Sequence, residues 1–349
     1  MVLALRPMCA EGASSTMAGM QRRLAIVVLV LLCAVCAELL AAYDDSTGRP
    51  GELAVAVVFF ALLYGCPALL LREVVRRRGL GWGAMVLLAC AAGLLQAGLV
   101  DQSMFARSYG DVRGWDEMVE PTWIGPLDLS PYPVQSFVAG HVVFSFCAPI
   151  AVAEALFPSL ARAPWLGRGE IMVAVGLWAL VAAAILAEPP AGSDGATVAQ
   201  LAATVVTIFV LVGLAFRPAR GGGGARRPGP RVAWACAGGF VAMTAHALMP
   251  GTWLGLVAAV AVLASGAWLV TRWAWDLRAV AALAVGALLS RAVLAFTYFP
   301  LVGEVPAGPK YAHNVAMLAL VAGAGGLAVR RAGEAALGSR ACRAVTPSR

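Results

Sequence analysis

Apolar residues fill this chain in blocks, and polar residues crowd into the short stretches between them. Segments 24–43, 53–71, 81–100, 135–156, 170–187, 197–216, 232–249, 252–270, 279–299 and 311–329 are nearly free of charge. Each is long enough to cross a hydrocarbon core of about 30 Å as an α-helix. The pattern predicts an all-α, polytopic transmembrane bundle of about ten helices. The seventh and eighth are parted only by Pro250-Gly251, a turn signal. Residues 1–23 and 330–349 read as tails around one bundle, 24–329. Within it lie a long loop, 101–134, and a flexible linker, 217–231, built around Gly221–Gly224. Met17 and Met20 precede Arg22-Arg23, so an internal start is an alternative. The apolar run that follows is too long for a secretory signal core and lacks a small-residue cleavage site, which predicts a retained first helix.

Charge orients these blocks. The first tail carries Arg6, Arg22 and Arg23. The second connector has Arg72, Arg76, Arg77 and Arg78 against Glu73, and the sixth has Arg217, Arg220, Arg226, Arg227 and Arg231 with no acid. The last tail has Arg330, Arg331, Arg340, Arg343 and Arg349 against Glu334. The alternate connectors are acidic: Asp44, Asp45 and Glu52 in the first, six acids from Asp101 to Asp128 in the third, Glu188 and Asp194 in the fifth. Positive loops stay inside, so both termini are expected in the cytoplasm and the 101–134 loop outside.

Composition agrees: 61% of the residues are hydrophobic and 13% charged, with mean hydropathy +0.81. A soluble domain carries about 25% charge. The net charge of +7 is spread over alternate loops and forms no patch suited to nucleic acid. The expected partners are the lipid bilayer and a small solute or lipid headgroup. Arg almost wholly replaces Lys, and Ala and Gly abound, which suggests a GC-rich bacterial genome and a bacterial plasma membrane. Cys33, Cys36, Cys66, Cys90, Cys147 and Cys236 all fall in apolar segments, as small buried residues rather than disulfide partners. Cys33 and Cys36 form a CxxC, but a quinone-linked thiol oxidoreductase also needs an exposed cysteine pair, which no external loop supplies.

Candidate chemistry lies where ionisable groups enter the apolar blocks, because a charge at membrane depth costs about 2.5–3.5 kcal/mol. On the ten-helix topology Glu38, Gln96, Asp101, His141, His246, Arg291, Tyr298, His313 and Asn314 all collect in the outer half of the bilayer. Phe137, His141 and Ser145 share one helical face, and Pro149 removes the hydrogen bond to the Ser145 carbonyl. These residues predict one outward-facing polar pocket, with Arg291 compensated by Asp101, Glu38 or several acceptors. The simpler expectation for Glu38, Asp101, His246 and His313 is an interfacial position, where polar groups cost little. The long third loop, with Trp115, Trp123, Tyr109, Tyr132 and four prolines, is either a folded cap or an aromatic anchor. No cofactor is called for.

Three stretches carry a resemblance: Pro67-Ala-Leu-Leu-Leu-Arg-Glu-Val-Val-Arg-Arg-Arg78, Gly93-Leu-Leu-Gln-Ala-Gly-Leu-Val-Asp-Gln-Ser103, and His141-Val-Val-Phe-Ser with Glu154-Ala-Leu-Phe-Pro158. They look like a group of bacterial multi-spanning proteins without established activity. More remotely they are similar to the CPBP intramembrane proteases, the CAAX-processing and bacteriocin-immunity group. Phe137 and His141 match that family's Phe-x-x-x-His motif. Gln96, Ala97 and Asp101 stand where it has Glu-Glu-x-x-x-Arg, and His313 and His246 are followed four residues on by Met317 and Pro250 rather than Asn or Asp. Without the carboxylates there is no evident general base, so the resemblance implies a non-catalytic relative. Two other classes remain open. A secondary transporter would suit ten helices as a five-plus-five inverted repeat. Haem or metal binding would use His141, His246 and His313.

The charge alternation yields a direct test. A topology reporter fused after Arg220 should read cytoplasmic, and one fused after Trp115 external; the reverse pattern would overturn the depth assigned to every polar residue above.

Overall fold

A computed structural model describes residues 8–42, 45–217, 227–298 and 300–345. Ten long helical rods occur among them. They are α1 (Met8–Ala34, continued by a π-helical Val35–Leu39), α2 (Pro50–Arg77), α3 (Trp82–Val100), α4 (Pro131–Leu156) and α5 (Arg168–Ala187). Then come α6 (Val198–Ala215), α7 (Val232–Ala247), α8 (Trp253–Arg272), α9 (Leu277–Leu294) and α10 (Ala307–Val345). Eight of these are long and apolar enough to cross a membrane, and α7 is a shorter apolar helix. No strand forms among the described residues; two isolated bridges, Ile124 with Leu129 and Arg227 with Trp273, are the only extended pairings. The fold is an all-α polytopic bundle. The Gly221–Gly224 run lies outside the described residues, and α10 continues as one helix past residue 329.

Local chemistry starts the helices where the pattern placed them. Pro50 opens α2 with its φ preset and no amide to satisfy. Thr197 and Gln200 form a reciprocal capping box on α6, and Asp276 accepts the Ala279 amide at 2.7 Å to cap α9. Glycine sets the closest crossing: Gly239 of α7 and Gly286 of α9 face each other's backbone, and a methyl group on either would collide with it.

The connectors sort onto two faces, as an up-and-down bundle requires. On one face Arg49 Nη2 donates to the Glu304 carbonyl at 3.3 Å and the Arg113 amide to Leu301 at 3.0 Å. There too the Asp194 amide reaches the Ser108 carbonyl at 3.0 Å and the Tyr132 hydroxyl reaches Met249 at 2.7 Å. These bonds tie together the segments after α1, α3, α5, α7 and α9. On the opposite face Arg22 pairs with Glu170 at 3.2 Å and the Arg227 amide meets the Arg272 carbonyl at 3.1 Å. The core is built from α1 to α4 with α9 and α10. Much of α5, α6 and α8 presents exposed apolar side chains such as Met172, Leu180, Phe209, Val210, Leu254 and Val257, the surface a lipid environment covers.

The face that carries the basic loops holds a feature the pattern of apolar blocks hid. Arg72, Glu73 and Arg76 are expected in a connector, yet α2 runs on to Arg77, and Arg72 and Glu73 are buried. Glu154 of α4 accepts Arg76 Nε at 2.7 Å and Arg76 Nη2 at 2.6 Å, and Arg72 Nε lies 3.0 Å from its Oε1. Arg72 also donates to the Leu160, Ala161 and Ala163 carbonyls at 3.0, 3.0 and 3.2 Å, and its guanidinium lies 3.4 Å from the centre of the Trp165 ring. Glu73 accepts the Trp165 amide at 2.7 Å and Arg77 Nε at 2.6 Å. The Arg-Glu-Val-Val-Arg-Arg run of α2 and the Glu-Ala-Leu-Phe-Pro run of α4 are thus two halves of one ionic staple.

Because Arg72 and Glu154 are each only 1% exposed, removing one partner strands a buried charge. Glu154→Ala should lower unfolding free energy by about 3–5 kcal/mol, measured by chemical denaturation in detergent micelles. A loss under 1 kcal/mol would show that the staple is solvated rather than buried.

Candidate functional site

The first four helices depart from α-geometry, three of them where they carry a polar residue singled out by sequence and the second at Tyr64. The π-helical segments are Val35–Leu39, Ala61–Gly65, Leu95–Val100 and His141–Cys147. They contain Glu38, Tyr64, Gln96, and His141 with Phe144 and Ser145. A π-turn inserts one extra residue and shifts a side chain out of helical register, a distortion frequent at functional sites.

Three of the segments converge. The Tyr64 hydroxyl donates to Glu38 Oε1. The Tyr64 ring lies 5.7 Å from His141, and His141 Nδ1 shares a 3.1 Å hydrogen bond with Ser145 Oγ, one turn along the same face. His141 packs on Gly93 of α3, where the missing side chain leaves it room. From α9, Arg291 enters this group. Its Nη2 donates to the Ala37 carbonyl at 2.8 Å, its guanidinium carbon lies 4.5 Å from the Phe144 ring centre, and its Nε is buried without a partner. It stands near enough for its charge to act on Tyr64, His141 and Tyr298. Glu38, Tyr64 and Ser145, which are buried, with the half-buried His141 and Arg291 and with Tyr298 at the margin, form a polar cluster.

The other sequence candidates divide. Asp101 does not pair with Arg291: its Oδ1 accepts the Ser103 amide at 2.9 Å and the Ser103 hydroxyl at 2.6 Å, closing the end of α3. The expected pairing gave way because a turn residue two positions on satisfies the carboxylate locally. His313 Nε2 donates to the Leu39 carbonyl at 2.8 Å, and Asn314 Nδ2 to Ala295 at 3.1 Å, so both are buried caps on the ends of other helices. His246 sits apart, 2.7 Å from the Gln135 amide nitrogen. Gln96 is buried, and its Nε2 has no partner. Among the described residues no group of three or more His, Cys, Asp and Glu is placed to hold a metal ion.

Over the cluster the third loop is a folded cap. Trp115 is buried, stacks on Tyr109 and Phe137 at 4.8 and 5.8 Å, and donates from Nε1 to the Ala106 carbonyl at 3.1 Å. Thr122 and Ser130 hydroxyls meet at 2.6 Å, and Gln200 of α6 donates to the Asp128 carbonyl at 2.6 Å. Phe137, the aromatic of the Phe-x-x-x-His match, therefore anchors this cap.

Sequence reasoning missed Tyr64 and Phe144, which look like ordinary apolar-segment residues, and Lys310, which lies just ahead of its expected helix. Lys310 is buried and donates to the Ala295 carbonyl at 3.0 Å. Its spacing from His313 and Asn314, i, i+3 and i+4, was the available clue.

Fold and cluster together define an integral, multi-pass membrane protein. No protein family, curated protein or solved structure matches the chain.

Burial beside the cap raises Asp101 to about 6, against the lowering effect of its Ser103 bonds. A carboxyl raised above its unfolded value of about 3.9 favours the folded state most in acid. Stability should therefore fall as pH rises from about 4 through 6. Asp101→Asn keeps an acceptor for Ser103 but cannot titrate, so the wild-type minus variant difference in melting temperature should carry that slope; a flat difference would place Asp101 in water.

Proposed function

We propose that the protein is a non-catalytic membrane binding protein whose polar cluster, beneath the cap, takes the anionic group of a small solute or lipid headgroup. The convergence of the distorted turns on Glu38, Tyr64 and His141 supports this reading most. Regular α-geometry would have been available to these apolar sequences, so a π-turn in each is retained for what it positions. Arg291 supplies the recognition chemistry: a permanently charged fork whose Nε still lacks an acceptor.

The degenerate CPBP resemblance fits this reading and not hydrolysis. His141 keeps its motif position, but its nearest hydroxyl partner is Ser145, and Gln96 and Ala97 replace the carboxylates that would activate water. A five-plus-five transporter is less well supported. An inverted repeat would place matching helix breaks in both halves, whereas the π-segments of the described residues all lie between 35 and 147.

The test is ligand-induced stabilisation of purified protein in detergent. A panel of small carboxylates, phosphate and glycerol phosphates should contain at least one that raises the melting temperature of wild type by several degrees, since binding at about 100 Kd adds about 2.7 kcal/mol. Arg291→Gln should abolish the response. Equal responses in both proteins, or none in wild type, would sink the proposal.

A further inference from the structure

A second feature lies at the basic face, where the start of α9 meets the far end of α10. A surface recess of about 390 Å³ opens there, with Arg278 of α9 on one side and Gly326, Val329, Arg330, Gly333 and Leu337 of α10 on the other. These α10 positions recur at three- and four-residue steps, so they share one helical face. Arg278 is exposed, yet it rests on α10 at Gly333, where an added methyl group would meet its Nε at 3.1 Å and its Cζ at 3.2 Å. Glycine permits that approach. Arg278 makes no hydrogen bond or ion pair among the described residues. The one carboxylate of the recess, Glu334, is already taken by Arg330, whose Nε lies 3.6 Å from its Oε1. Two guanidiniums against one carboxylate leave a single positive charge in excess.

The recess also stands at headgroup depth. From Tyr311 to Arg330 α10 rises about 30 Å, the thickness of a hydrocarbon core. Arg331, one residue on, turns inward and donates to the Leu156 carbonyl at 3.1 Å, so the exposed Arg330 faces outward at the level of the ionic staple. Toward the middle of the membrane Ala322, Ala319 and Val315 continue the face of Gly326, and all three are exposed.

We propose that this recess binds the phosphodiester of an anionic glycerophospholipid in the leaflet of the basic face. Arg278 and Arg330 take its two unesterified oxygens, and one acyl chain runs along α10 past Gly326. Charge selects a net anion, because the excess guanidinium matches the single negative charge of a phosphodiester. Beyond Glu334 the chain adds Arg340, Arg343 and Arg349 with no further acid, which disfavours a headgroup carrying its own ammonium. Glu334 is left to accept a headgroup hydroxyl, such as those of phosphatidylglycerol. Depth selects a lipid: a soluble phosphate would meet the same arginines but leave Gly326 and Val329 uncovered, whereas acyl chains bring a lipid phosphate to this level and cover them. The site stands apart from the cluster around Arg291, which lies near the other end of α9.

The test is native mass spectrometry of the full chain released from detergent micelles, where no bilayer surface potential attracts lipid. Phosphatidylglycerol and phosphatidylcholine with the same acyl chains are titrated separately. The first phosphatidylglycerol should bind about tenfold more tightly than the first phosphatidylcholine. Arg278→Gln should weaken phosphatidylglycerol about fivefold and leave phosphatidylcholine unchanged. Arg162→Gln, at an exposed arginine elsewhere on the basic face, should cost less than about twofold. If Arg278→Gln does not fold, Arg330→Gln takes its place with the same expected loss. Glycerol 3-phosphate in roughly hundredfold excess should not displace the lipid. Equal binding of the two lipids would mean annular lipid, and a loss in Arg278→Gln no larger than in Arg162→Gln would mean a summed field without a site. Displacement by glycerol 3-phosphate would mean a site for free phosphate. Each of these three results would overturn the proposal. Arg291→Gln should keep the lipid preference intact, so failure here and failure of the reading of the cluster are told apart.

Discussion

Hydrocarbon offers a helix end no hydrogen-bond partner, so the carbonyls left over at each C-terminus must be satisfied by the protein itself. That constraint accounts for a set of side-chain donors, some buried and some at the surface, that reach helix ends. Arg72 serves the carbonyls of residues 160, 161 and 163, Arg77 that of Leu166, and Arg331 that of Leu156, all just beyond or at the end of α4. At the other face His313 serves Leu39, Arg291 serves Ala37, and Lys310 with Asn314 serves Ala295. Cationic donors suit these places, because the helix dipole is negative there. Charges that would be prohibitive alone are stabilised where backbone acceptors collect.

The two ends of the bundle meet the constraint differently. At the basic face, Glu154 and Glu73 join the arginines in a dense network that leaves α2, α4 and the 157–167 turn a single packed unit. Removing a partner there would strand a charge. In the opposite half the backbone itself gives way: the π-turns of α1 to α4 lie at the level of Glu38, Tyr64, Gln96 and His141. Strain of this kind persists only when surrounding packing over-determines it.

The peripheral helices connect these halves to the bilayer. Long runs of α5, α6 and α8 show apolar side chains outward, as lipid-facing helices do. They also brace the cap, since Gln200 holds the 127–128 turn and Asp194 holds Ser108. The cap is therefore fixed from both the core and the rim.

The sequence by itself determined the architecture. Twenty-residue apolar blocks of about bilayer length force helices, because only a helix satisfies its own backbone in lipid, and each expected block falls on one rod, although the first rod starts well before residue 24, the second runs on to Arg77 and the last continues well past 329. For Glu38, His141 and Arg291 the pattern offered only a depth along alternating helices, a one-dimensional quantity. What only the tertiary structure decided is which neighbour each polar group has. Arg72 and Glu73 look like loop charges until α4 brings Glu154 against them, and Asp101 looks like a partner for Arg291 until Ser103 takes its carboxylate. The π-turns, too, leave no mark in hydropathy, since inserting a residue in an apolar run leaves it apolar. Depth is set by chain position, but lateral neighbours are set by packing around the bundle axis, and a hydropathy pattern says nothing about that angle.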